Sequence, residues 1–155
     1  LAAHLCNRMS PWGEIAEASS FDPGKLPPRY FNFVESLGYS LAHAQPLSLF
    51  EHYKRGQSFD YVIMMCSEVS GEQCSIFRMS VNELYGRQAK ILSWPIPDLA
   101  IHAGAPDELK QGYVRVVRQV EDHVGLLVQQ LALALRARPA EGSAPAQSSA
   151  NRTAN

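Results

Sequence analysis

Nowhere in this 155-residue chain do apolar residues run on for the about 18 positions that a membrane-crossing helix needs. The opening residues also lack the charged start and long apolar core of a secretion signal. Neither sign of charge dominates: 14 Lys and Arg stand against 15 Asp and Glu, so no broad basic face gathers nucleic acid or an anionic membrane. Cysteine is scarce, at three residues. An odd count with no export signal argues against a disulfide framework and for thiols that stay reduced or do redox chemistry. No CxxC pair exists, and His43, His52, His102 and His123 do not cluster at ligand spacing, so no metal site is expected. These absences describe a cytoplasmic protein with no nucleic-acid, membrane, metal or cofactor partner.

What remains reads as a single α/β domain. Residues 61–65 (YVIMM) and 91–94 (ILSW) are continuous apolar runs, the second ended by Pro95 and Pro97. Such runs mark strands of a parallel sheet buried on both faces. Residues 28–37 have Pro near the start and Gly38 just past the end, the usual helix punctuation, and 47–53 reads as another short helix. Across 108–135, Tyr113, Val117, Val120, Val124, Leu127 and Leu131 recur at spacings of three and four, the stripe of an amphipathic closing helix. The opening stub, 1–5, reads as a short first strand, and the helix formers at 14–18 as the start of a helix, whose dipole explains Glu14 and Glu17. From Arg138 onward Ala, Ser, Pro, Gly and Asn take over, a composition that cannot repay the entropy of ordering. The expectation is therefore a domain at 1–137, a three-layer sandwich with a short central parallel sheet flanked by helices, and a disordered tail at 138–155.

Two places in this outline carry candidate chemistry. In open α/β sheets, ligands bind at the carboxyl ends of the strands, where Cys66, Cys74 and Asp98 fall. The other is Cys6, followed by a loop that runs to Gly13 and then by helix formers. A loop that ends on a helix N-terminus offers backbone N–H groups and a positive dipole to an anion, and the same field lowers a thiol pKa. Asn7, Arg8, Ser10 and Gly13 are its candidate anion-binding residues. The plainer alternatives stay open: Cys6 as buried filler, Cys66 and Cys74 as incidental thiols, and Asp98 as a solvated carboxylate.

Taken in order, CNRMSPWGEIAEA (6–18), SSFDPGKLPPRYFNFVESLGYS (19–40), FDYVIMMCSEVSGEQC (59–74) and SWPIPD (93–98) resemble the low-molecular-weight protein tyrosine phosphatase family. Within it they are most similar to the thioredoxin-coupled arsenate reductases. The resemblance spans roughly 5–130, and its most specific parts are the paired cysteines and the WPIPD block. It implies that Cys6 attacks arsenate or a phosphate monoester, that Asp98 is the general acid, and that Cys66 and Cys74 relay a disulfide to thioredoxin.

The chain departs from that pattern where the anion would sit. The family's loop arginine falls on Trp12, its serine on Gly13 and a loop asparagine on Met9. A planar guanidinium fork would hold two oxyanion oxygens, whereas indole offers one neutral donor. Between Ala18 and Ser20 the family continues its first helix and adds an edge strand, and this chain is short of the residues for both. Cys66 and Cys74 have seven residues between them, one more than in the reductases. The expected activity is impaired. The alternatives are a non-catalytic oxyanion- or protein-binding module and an incomplete product that lacks sheet elements.

Overall fold

A computed structural model describes residues 1–21, 23, 28–40, 47–65, 71–97 and 106–137. Along the chain run α1 (Ala2–Met9), β1 (Ser19–Ser20), α2 (Pro28–Ser36), β2 (Leu47–Ser48), α3 (Leu49–Lys54), β3 (Tyr61–Met65), α4 (Gly71–Tyr85), β4 (Lys90–Trp94) and α5 (Pro106–Ala137). The architecture is mixed α/β with two short parallel sheets, β1 with β2 and β3 with β4. The expected tail, 138–155, lies outside the described residues.

The two apolar runs form β3 and β4, and they pair in parallel with Val62 opposite Ile91, Ile63 opposite Leu92 and Met65 opposite Trp94. Both carboxyl ends therefore lie at one edge. Side chains alternate between the faces. Ile63, Leu92 and Trp94 join Leu5, Cys6, Val120, Val124 and Leu127 of α1 and α5 in one buried cluster. Val62, Met64 and Ile91 join Leu49 of α3 and Val81 and Tyr85 of α4 in another. A strand pair buried on both faces needs apolar residues at successive positions, which accounts for the unbroken runs.

Helix punctuation works as the sequence suggests in α2. Gly38 adopts φ +86°, and the amides of Gly38 and Tyr39 reach back to the carbonyls of Glu35 and Val34. This is a Schellman end, which favours glycine because only glycine enters the left-handed region without strain. The expected helix at 47–53 splits: Leu47 and Ser48 pair with Ser19 and Ser20, and α3 begins one residue later. Ser48 caps α3 by accepting from Phe50 N–H, while Glu51 accepts from the Ser48 amide, a reciprocal capping box. The closing helix α5 extends slightly beyond the predicted span at both ends.

The N-terminal region overturns two expectations. Residues 1–5 are not a strand, because Ala2–Met9 is helical. The segment AAHLCNRM holds no Gly, Pro or β-branched residue and is led by strong helix formers. Its apolar Ala2, Leu5, Cys6 and Met9 follow helical rather than alternating spacing. Ser10 ends the helix in an extended conformation (ψ 129°), as the residue before Pro11 must. Residues 14–18 are not helical, and the two-residue strand at 19–20 pairs with β2 in a sheet separate from β3 and β4.

Candidate functional site

Cys6 lies in the last turns of α1, with its side chain pressed into the cluster that joins α1, α5, Trp94 and Ile96. It is 6% exposed. Burial pushes its thiol pKa up, the reverse of what a thiolate nucleophile needs. The expected field of a helix N-terminus is absent at this position, because the sulfur sits four residues into the helix and faces apolar side chains.

The residues expected to line an anion loop have other partners. Asn7 reaches across to the extended segment after α1: its Oδ1 accepts from the amides of Ile15 and Ala16 at 2.8 and 2.7 Å, and its Nδ2 donates to the Ala16 carbonyl at 2.9 Å. Arg8 lies over the ring of Tyr39 at 5.4 Å from its centroid, and the Tyr39 hydroxyl donates to Glu121 of α5. The Glu121 hydrogen bond, followed by burial, pushes the Tyr39 phenol pKa up. Ser10 Oγ accepts from Trp12 N–H in a local turn. Gly13 sits beyond it at φ +87°, with open space where a Cβ would project. Trp12 is exposed, as are Met9 and Ile15. These residues bind α1 to its neighbours and turn the chain; they converge on no common point.

The other candidate is the shared carboxyl edge of β3 and β4. Cys66 follows β3 directly and Asp98 lies just past Pro97, and both fall outside the described residues. Cys74 is half-buried in the first turns of α4. It lies three and seven residues before Phe77 and Val81, so it shares their stripe toward the second cluster. Cys6 belongs to the cluster on the opposite face of the sheet.

Two constellations escaped sequence reasoning. His52 is almost fully buried in α3; its Nδ1 lies 2.6 Å from Gln57 Oε1 and 3.2 Å from Glu17 Oε2, and Gln57 Nε2 donates to the same carboxylate. Glu17 thus pins the segment before β1 to α3, in place of a helix-dipole role. His52 Nε2 is buried with no partner, and so are Ser20 Oγ and Tyr85 Oη. The second is on α5, where the His123 ring lies flat on Trp94 (centroids 5.0 Å apart, planes at 12°) and Gln119 Nε2 donates to the Pro95 carbonyl at 3.0 Å. The only sequence signal for these contacts was the spacing of Gln119 and His123 by four residues, one helical turn apart.

Among the described residues no group of three or more His, Cys, Asp or Glu side chains could hold a metal ion, and no helix is long and apolar enough to cross a membrane. Compared with known proteins, the chain matches no family model and no curated protein.

Proposed function

We propose that this chain is a phosphatase-like and arsenate reductase-like protein in which oxyanion attack through Cys6 is impaired, and that it serves as a non-catalytic binding module built on that family's scaffold. The observation that carries this reading is the burial of Cys6 in α1 against α5. A thiol held neutral among apolar side chains neither attacks nor binds an anion. Beyond the N-terminal region, alternating helices and strands with parallel pairing are compatible with that scaffold. In this reading the two buried clusters become the inner surfaces of a three-layer sandwich in a cytoplasmic protein, and its ligand crevice is the carboxyl edge of β3 and β4.

A second reading keeps the family's redox half. Cys66 begins immediately after β3, and Cys74 sits in the first turns of α4 on the helix stripe turned toward the sheet. Here the pair relays a disulfide to thioredoxin independently of Cys6.

Arsenate reduction coupled to thioredoxin, thioredoxin reductase and NADPH, run beside para-nitrophenyl phosphate hydrolysis, tests both readings. The parent, Cys6→Ser and Trp12→Arg are all expected to be silent toward arsenate and phosphate ester. Turnover in the parent that disappears in Cys6→Ser would overturn the first reading. NADPH consumption on presenting the oxidised chain to thioredoxin, lost in Cys74→Ser, would establish the second.

A further inference from the structure

The end of β4 is held by more than its strand pairing. Trp94 is buried in the cluster beneath the sheet, and the His123 ring covers it face to face. One residue on, the Pro95 carbonyl has left the ladder and accepts from Gln119 Nε2. Ile96 then turns inward, its amide donating to the Trp94 carbonyl at 2.9 Å, and packs with Val120 and Val124. Pro95 and Pro97, on either side of Ile96, lack the amides that would otherwise extend the sheet. Trp94 still pairs with Met65 of β3, and beyond it residues 95–97 take their path from α5.

We propose that Gln119 and His123 are positioning residues, a two-point clamp by which α5 sets the path of 95–97 at the carboxyl edge of β3 and β4. The proposal rests on the reading of that edge as the ligand crevice. Their four-residue separation puts both side chains on one face of α5, one turn apart, matching the advance from Trp94 to Pro95. Each half does different work. The flat ring contact fixes the tilt of the indole, and the Gln119 hydrogen bond satisfies a carbonyl that lies beyond the last strand pair. Among the described residues His123 forms no ion pair, so the ring stack is its one specific contact.

The stack carries its own spectroscopic signature, because a ring lying flat on the indole keeps water from that face. In a Trp12→Phe background Trp94 is the sole tryptophan. Its emission is expected at short wavelength, as for an indole buried among apolar side chains. His123→Ala should shift the emission to longer wavelength. His123→Phe, which keeps a flat ring over the indole, should keep the short wavelength. Gln119→Ala should shift Trp94 emission, and Gln119→Lys, which restores a donor, should bring it back. Melting temperatures of every variant identify any loss of fold. Emission that ignores His123→Ala, or identical behaviour of Gln119→Ala and Gln119→Lys in folded proteins, would overturn the clamp.

Arsenate and inorganic phosphate titrations of the same proteins separate the clamp from the crevice. If either anion binds the parent, Gln119→Ala should weaken it about fivefold, the scale of one ordinary hydrogen bond, and Gln119→Lys should recover it. Binding that Gln119→Ala leaves unchanged would overturn the positioning role. If the parent binds neither anion while the Trp94 signature holds, the clamp stands and the oxyanion reading of the crevice falls.

Discussion

At the level of single residues, Asn7 and Cys6 show how a helix turns expected site groups into structural ones. Asn7 makes three hydrogen bonds to the segment after α1, so Asn7→Ala leaves two amides and a carbonyl to find water. The expected loss is about 1–3 kcal/mol in denaturant unfolding, and Asn7→Asp, which keeps the acceptor, should lose less. For Cys6, burial raises the folded-state thiol pKa. The folded state therefore favours the protonated thiol, and that stability is present below the unfolded thiol range and lost as the pH rises through the folded value. Melting temperature should fall more steeply between pH 8 and 10 in the parent than in Cys6→Ala. In a Cys66→Ser, Cys74→Ser background, iodoacetamide should label Cys6 only as fast as the protein unfolds. The sequence showed Cys6 as a thiol after an apolar stub, and helix and strand are equally open to so short a stub. Only packing against α5 decides between them.

Elements were legible in proportion to their length and punctuation. β3, β4, α2 and α5 could be read because an apolar run, a flanking Pro or Gly, or a long stripe marks each of them. The two-residue strands β1 and β2 left no such mark, since a pair that short has no period and is defined by its partner alone. On α5, Gly125 sits mid-helix, and a Cβ there would meet only the flexible end of Met9 at 3.5 Å. Gly125→Ala should raise stability by about 1 kcal/mol through helix propensity, read as a higher melting temperature. At Gly86, just past α4, a Cβ would stand 2.5 Å from the Asn82 carbonyl oxygen. Gly86→Ala should cost about 1–3 kcal/mol, because backbone must move to admit it. The pair forms an internal contrast: the same substitution, opposite signs, decided by what lies within reach.

For the molecule as a whole, the α/β class and parallel pairing were readable, whereas the site that the first cysteine suggested was not. A loop and a helix can share the residues CNRMSPWG, and the choice falls to a partner helix more than 100 residues away in sequence. Trp12 illustrates the consequence: it was read as replacing an anion-binding arginine, yet it stands exposed on a turn beyond α1. Trp12→Arg should therefore change stability by no more than about 0.5 kcal/mol and confer no phosphatase or reductase turnover.

The packing of α1 on α5 also has a meaning in time. A ribosome adding about 5–20 residues each second needs about 6–24 seconds to pass from Cys6 to Leu127, the far side of the same cluster. During synthesis, Leu5 and Cys6 are without their eventual cover. The nascent chain thus exposes an apolar stripe and a reactive thiol that the finished protein conceals, a window in which chaperones and oxidants meet a different molecule.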